Sequence, residues 1–396
     1  MNFVEPPDSK VVKIYKLNFL ILILLFGAIA SFQFHVEVLG YFGFGGLFTP
    51  DTIGMQNTIN LVAQGNEINY TTIFGVAMLY YPSFWLGAIY NYCINCMLLY
   101  FSCHFFIKSL PLLNLNLSRP KVYLVFFMVT ANFYILSVML HPNKEIPLIF
   151  LTNAFVYYAL IKQKILLPLF LIVITAIFRD AFALILLLTL IALNIKIVTY
   201  AFYRKPYLVA SVFIIFLAFF TIENLVYLNI LPDISYVLER NISYGSQVNS
   251  TLSDLPSYQS FIFKLMNNLS SAALRPQFFD LNSRIYYTGV GLWQFGVISL
   301  LGMLAWMLSL RGRQYNLNHS KLILAILICL LLISSGTFTQ PRYLMPYIFW
   351  LSLGFVSTLK FHHILILFIL LFLCSQAFSI LGLGVKVPQG IDVYPY

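Results

Sequence analysis

Charged side chains are scarce in this sequence. Only 9% of its 396 residues are Asp, Glu, Lys or Arg, whereas 60% are hydrophobic and the mean hydropathy is +0.86. Soluble domains average about 25% charged residues, so a large soluble domain is excluded. The sequence predicts one all-α, polytopic integral membrane domain over residues 1–396.

Cysteine is also rare, with five residues that all fall in apolar runs. Cys93 and Cys96 have a metal or redox spacing, but no second pair and no clustered histidines accompany them. Thiols that act as small buried hydrophobes are therefore favoured. We expect no structural disulfide and no metal site here.

Long apolar runs are abundant and predict about 11 transmembrane helices, within a range of about 10–12. The candidate spans are Leu17–Phe34, Phe84–Ile107, Val122–Leu140, Ile146–Ile161, Ile165–Phe178, Ala181–Leu193, Tyr207–Leu228, Thr288–Leu310, Leu322–Ser335, Tyr343–Leu359 and Ile364–Leu383. The fifth and sixth are either two short helices that dip in and return or one long helix with Arg179-Asp180 inside it. Thr71–Pro82 is expected along the interface.

The distribution of basic residues orients the chain. With the N-terminus in the cytoplasm, most of the 23 Lys and Arg residues fall in inner segments and nearly all of the 13 acidic residues fall outside. The net charge of +10 thus reflects topology, and nucleic-acid binding is not expected. The first span is predicted to be an uncleaved signal anchor, although Ala28-Ile29-Ala30 resembles a cleavage site. The main outer loops are about 35–82 and 229–287.

The charged residues predicted on the outer side cluster at the ends of spans. A charge near a bilayer is costly to desolvate, so such residues indicate a functional site. These residues are Asp51, Lys144, Glu145, Arg179, Asp180, Arg275, Asp280, Arg284 and Arg342. We expect them to converge on one face. Arg275 and Arg284 lie in the polar loop, and the alternative to a role in the site is an ordinary position on the protein surface.

This combination suits sugar transfer from a polyprenyl-linked phosphate donor. Arg and Lys stabilise the leaving phosphate, and a carboxylate can deprotonate the acceptor hydroxyl. We assign Asp51 as the catalytic base or acceptor-positioning residue. Phosphate binding is assigned to Arg179, Arg342 and Lys144. Orienting or secondary roles are assigned to Glu145, Asp180, Arg275, Asp280 and Arg284.

Each assignment has a structural alternative. Asp51 follows Pro50 and suits the N-cap of a helix at 52–63. Lys144-Glu145 could form a solvated turn, and Arg179-Asp180 an ion pair between helices. Arg342 could extend to lipid headgroups.

Four short stretches carry a family resemblance. Gly45-Gly46-Leu47-Phe48-Thr49-Pro50-Asp51-Thr52, followed by Ala63-Gln64-Gly65, resembles the first outer loop of GT-C membrane glycosyltransferases. Pro142-Asn143-Lys144-Glu145 with the later Arg179 resembles O-antigen polymerase (Wzy) and related exopolysaccharide polymerases. Arg342-Tyr343-x-x-Pro346 is similar to an element near the end of many such enzymes.

The resemblance implies an enzyme of the bacterial inner membrane that polymerises undecaprenyl-diphosphate-linked oligosaccharide repeats, of O-antigen or capsule, on the periplasmic face. It also implies a chain-length regulator and a flippase as partners. Thr52 stands where such enzymes often have a second acidic residue, so we expect no cofactor and no metal requirement, with a bound divalent metal as the alternative. The alternatives are a GT-C enzyme that adds one sugar from undecaprenyl-phosphate-sugar, and a lipid-linked oligosaccharide flippase or other transporter.

Overall fold

The computed structural model describes residues 9–34, 50–65, 74–113, 118–139, 141–161, 165–209, 286–309, 317–334 and 341–358, with single residues at 211, 362, 363, 366, 369, 370 and 373. Within these ranges every regular element is a helix and no strand is present. The all-α class is therefore confirmed for this part of the chain. Nearly all of the predicted loop 229–287, and most of the spans Tyr207–Leu228 and Ile364–Leu383, lie outside the described residues.

The described helices follow the apolar runs of the sequence. They are α1 (Ser9–Phe34), α2 (Pro50–Ala63), α3 (Phe74–Tyr80), α4 (Ser83–Ser109), α5 (Arg119–Thr130), α6 (Phe133–Val138), α7 (Glu145–Phe155), α8 (Leu166–Phe178), α9 (Asp180–Asn194), α10 (Lys196–Arg204), α11 (Tyr286–Ser309), α12 (Leu317–Ser334) and α13 (Ile348–Thr358). A π-helical turn, Val156–Ile161, extends α7, and a 3-10 segment, Pro341–Tyr347, leads into α13.

The predicted span Val122–Leu140 is not one continuous helix. It is broken between α5 and α6 at Ala131 and Asn132. The Asn132 side chain caps α6 by accepting hydrogen bonds from the backbone N–H groups of Tyr134 (2.9 Å) and Ile135 (3.2 Å). Asparagine is more favourable at such caps than inside helices, because its side chain forms hydrogen bonds with nearby backbone groups that would otherwise pair within the helix. The expectation of an unbroken helix was therefore wrong here.

Arg179 separates α8 from α9. Its backbone is extended, with φ −163° and ψ 101°, and the two helices pack against each other. The Arg179 N–H donates to the carbonyl of Thr175 (2.7 Å), and its own carbonyl accepts from Ala183 (3.0 Å). Of the two alternatives, one long helix is excluded and two short helices are confirmed.

The core contains many aromatic side chains, and α11 packs closely against α13 within it. The Trp306 indole donates to the carbonyl of Trp350 at 2.9 Å, and both side chains are almost fully buried. The backbones approach so closely that a Cβ on Gly302 would overlap the carbonyl of Leu351. Only glycine permits this approach.

Two clusters of basic side chains define opposite ends of the helix bundle. At one end, which we call the lysine end, lie Lys16, Lys108 and Lys121. Lys121 Nζ donates to the carbonyl of Ser357, at the C-terminus of α13, at 2.8 Å. At the other, the arginine end, Arg342 is part of the 3-10 segment that precedes α13, and Arg179 lies beside that segment. From that segment to Ser357 is about 20–25 Å at helical rise.

Length and composition identify few membrane spans among the described helices. One helix, over Gly291–Leu308 in α11, is long and apolar enough to cross a membrane. The number rises to two if α9 and α10, which are bent by 81° at their junction, count as one span. α7 with its π turn, α8 and most of α12 are apolar but shorter. The described helices therefore do not support the prediction of about 11 spans.

Candidate functional site

Two of the predicted phosphate-binding residues meet on one aromatic ring. The guanidinium carbon of Arg179 lies 4.2 Å from the ring centroid of Tyr343, and that of Arg342 lies 5.5 Å from the same centroid. The two guanidinium groups are therefore no more than about 10 Å apart. Both arginines are half-buried. The ring attracts the cations by its quadrupole and holds two positive charges near each other.

Asp180 does not neutralise this pair. It begins α9, is exposed, and its carboxylate accepts a hydrogen bond from the N–H of Ala181 at 2.7 Å. That position is favourable for an anion because of the helix dipole. Although both residues are described, no ion pair joins Arg179 to Asp180, and the predicted structural ion pair is not observed.

Lys144 and Glu145 lie at the start of α7. Lys144 is half-buried, and Glu145 is only 5% exposed, so the solvated-turn alternative is wrong. The Glu145 carboxylate accepts a hydrogen bond from the backbone N–H of Lys144 at 3.2 Å. A carboxylate in the first turn of a helix is stabilised by the N-terminal end of the dipole.

Asn143 fixes the entry into α7. The Oδ1 atom of its side chain accepts a hydrogen bond from the backbone N–H of Ile146 at 2.9 Å. Its amide donates to the carbonyls of Val138 (2.8 Å) and His141 (2.9 Å). The side chain of one buried asparagine therefore ties together both sides of the segment that carries Lys144.

Tyr80, at the end of α3, joins this segment to α4. Its fully buried hydroxyl donates to Asn95 and accepts from the Asn143 amide at 3.4 Å. The Asn95 amide donates in turn to the carbonyl of Met139 at 2.9 Å. Burial raises the pKa of the Tyr80 phenol well above its usual value, and the nearby Glu145 carboxylate raises it further. The hydroxyl therefore stays protonated and can keep donating.

α3 connects this polar network to the arginine end. At its first turn, a Cβ on Gly75 would come within 2.8 Å of the carbonyl of Ile177, two residues before Arg179. At its last residue, Tyr80 contacts Asn143, the neighbour of Lys144. Seven helical residues span only about 10 Å. Lys144 and Glu145 thus lie at the same end of the bundle as Arg179.

Asp51 is the second residue of α2, because this helix begins at Pro50 rather than at residue 52. The interpretation of Asp51 as an N-cap is therefore wrong. α2 packs against α3 and α4, which places the helix of Asp51 beside the network around Tyr80. The Asp51 side chain lies outside the described part of the structure, as do Arg275, Asp280 and Arg284.

The described cysteines do not form a disulfide or a metal-binding group. Cys93, Cys96, Cys103 and Cys329 are free thiols, and all but Cys93 are buried. Within the described ranges, no three His, Cys, Asp or Glu side chains are close enough to hold a metal ion.

Four residues of this site, Tyr343, Tyr80, Asn95 and Asn143, were not predicted from the sequence. Tyr343 was quoted in a motif but given no role, although its place next to Arg342 was a usable signal. Asn95 stands alone within an apolar run, where an amide requires partners. Its partners lie in distant segments, so the sequence does not name them.

No protein-family model matches the chain, and neither a curated protein nor a solved structure is detectably similar to it.

Proposed function

We propose that this chain is a polytopic, GT-C-like glycosyltransferase of the bacterial inner membrane, with its N-terminus in the cytoplasm. It would polymerise undecaprenyl-diphosphate-linked oligosaccharide repeats of O-antigen or capsule on the periplasmic face. The observation that carries the proposal is the convergence of Arg179 and Arg342 on Tyr343, at the end of the bundle that also holds Lys144.

Exposed apolar stripes support insertion in a bilayer. On α8, Leu166, Phe170 and Val173 are 84%, 59% and 62% exposed, and they recur at helical spacing. α1 has a similar stripe through Leu17, Ile21 and Leu24, and α9 another. Soluble monomers rarely expose apolar patches of this extent, whereas lipid would cover them.

The two ends of the bundle support the proposed orientation. Lys16, Lys108 and Lys121 lie at one end, and Arg179 and Arg342 lie at the other. Retention of lysine in the cytoplasm turns the arginine end outward. The outer face is where a lipid-linked repeat is available for polymerisation and where no nucleotide donor is needed.

The proposed step is a displacement at the anomeric carbon of the donor. The acceptor hydroxyl oxygen bonds to this carbon, and the bond from the carbon to the diphosphate oxygen breaks. The hydroxyl proton passes to Asp51, and undecaprenyl diphosphate leaves with the bonding electron pair. Arg179 and Arg342 stabilise the charge that develops on the phosphate oxygens, because in-plane guanidinium N–H groups form paired hydrogen bonds with them.

Deletion of the gene in its native host tests the proposal. We expect the polysaccharide ladder to collapse to a single repeat, with full restoration by the wild-type gene and none by Asp51→Asn. An unaltered ladder would contradict glycosyl polymerisation. A full ladder that lacks one side branch would instead identify a single-sugar transferase, and intracellular accumulation of the lipid-linked repeat would identify a transporter.

A further inference from the structure

An apolar groove of about 300 Å³ runs along the bundle surface between α1 and α4. Its lining includes Leu20 and Leu24 from α1, and Tyr92, Cys93, Met97 and Tyr100 from α4. Leu24, Cys93 and Met97 are exposed. On α4 the groove extends from Tyr92 to Tyr100, or about 12 Å at helical rise, which is long enough for part of an acyl chain.

One end of this groove is cationic. On α1, Lys16 precedes Leu20 and Leu24 at intervals of four residues, so the three lie on one face. On α4, Tyr100 and Lys108 share a face with His104 between them. Lys16 Nζ lies 4.5 Å from the ring centroid of Tyr100, and both lysines are within electrostatic range of His104.

These lysines have no acidic partner in the described part of the chain. Lys108 is exposed and Lys16 is half-buried, and neither forms an ion pair with a described carboxylate. An unpaired ammonium that is partly withdrawn from water favours an anion at its side. The groove therefore combines an apolar channel with an anion-attracting mouth at the lysine end.

We propose that this groove binds an anionic phospholipid. One acyl chain lies between α1 and α4, and the phosphate lies between Lys16 and Lys108. Basic pockets between helices at the cytoplasmic side are suited to such lipids. The polyprenyl donor of the proposed reaction is not the occupant, because its phosphates belong at the arginine end. The inference depends on membrane insertion but not on glycosyl transfer.

Native mass spectrometry of the purified full chain tests the proposal, with phosphatidylglycerol and phosphatidylcholine as probes. The double variant Lys16→Gln/Lys108→Gln removes the cationic mouth, and Cys93→Trp fills the groove. Lys205→Gln, which removes an exposed lysine at the C-cap of α10, is the matched control. Thermal melts establish that each variant is folded, and any variant that is not is replaced by Met97→Trp or by the single lysine variants.

We expect wild type and Lys205→Gln to retain one phosphatidylglycerol in preference to phosphatidylcholine. Its affinity should fall roughly fivefold for each lysine removed, and Cys93→Trp should also weaken retention. Equal retention of both lipids, or unchanged retention in either variant, would overturn the proposal. Displacement by glycerol phosphate at low concentration would likewise overturn it, because the headgroup alone would then account for binding. No donor is present in this assay, so failure of the proposed polymerase activity leaves its result intact.

Discussion

Arg179 stacks its guanidinium group on the ring of Tyr343, with 4.2 Å between the guanidinium carbon and the ring centroid. Arg179 lies between α8 and α9, and Tyr343 lies in the 3-10 segment, so the contact joins two parts of the chain that are distant in sequence. A cation–π contact engages the positive charge of the guanidinium group and does not consume its N–H donors. The ring therefore positions Arg179 without using the donors that a phosphate would need.

Tyr343 is expected to act through this stacking rather than through its hydroxyl. Tyr343→Leu removes the quadrupole, which contributes about 0.5–2 kcal/mol to holding a nearby cation. Affinity for undecaprenyl diphosphate in lipid nanodiscs should therefore fall by roughly 2- to 30-fold. Tyr343→Phe keeps the ring and should bind almost as wild type does. Equal losses in both variants would assign the role to the hydroxyl instead.

The hydroxyl of Tyr80 is expected to stabilise the arginine end. Tyr80→Phe leaves the buried amides of Asn95 and Asn143 short of a partner, which costs about 1–3 kcal/mol. Its neighbour Tyr81 is half-buried and makes an edge-to-face contact with Trp85, so Tyr81→Phe is the matched control. Thermal unfolding in detergent should show a lower Tm for the first variant alone. A Tm unchanged in Tyr80→Phe would exclude the network as a structural element.

Ionisation of the Tyr80 phenol is expected to lower the stability of the folded protein at alkaline pH. Tyr80 ionises near pH 10 in the unfolded chain and only at higher pH in the folded chain. The stabilisation from its neutral form is therefore complete below pH 10 and is lost as the pH rises above that value. Between pH 10 and 11.5, the Tm of wild type should fall more steeply than that of Tyr80→Phe. Parallel curves would contradict this contribution.

The close contact of α11 with α13 is expected to tolerate no added methyl group. In Gly302→Ala the new Cβ meets the carbonyl of Leu351, a backbone atom that cannot rotate away. Overpacking of this kind typically costs about 1–3 kcal/mol, and the Tm should fall accordingly. Leu304→Ala on the same helix changes an exposed side chain and serves as the control. A Tm of Gly302→Ala equal to that of wild type would contradict the close approach.

Apolar runs were sufficient to predict most helices of the fold. The span Phe84–Ile107 corresponds to α4, and Leu17–Phe34 falls within α1. The break at Asn132 was missed because a single asparagine in an apolar run is compatible with a helix. The break is also stabilised by a contact with a residue that is distant in sequence: the Asn132 amide donates to the carbonyl of Gly291 in α11 at 3.1 Å.

The candidate site was only partly predictable for a similar reason. Scarcity of charge drew attention to Lys144, Arg179 and Arg342, because each charge near a bilayer needs a reason to be there. Their common location at one end depends on α3, a short helix whose role follows from contacts at Gly75 and Tyr80. Those contacts join residues that are distant in sequence, so they cannot be predicted from the local sequence.

The most direct test of the central claim is binding of undecaprenyl diphosphate to the arginine end. Wild type, Arg179→Gln/Arg342→Gln and Arg204→Gln are compared in nanodiscs at one salt concentration. Arg204 is the matched control because it also stacks on a tyrosine, Tyr200, at 5.0 Å, but on α10, away from Tyr343. We predict that the double variant loses at least about 10-fold in affinity, as expected when charge-assisted hydrogen bonds are removed, while Arg204→Gln binds as wild type does. Equal affinity in all three proteins would contradict the account.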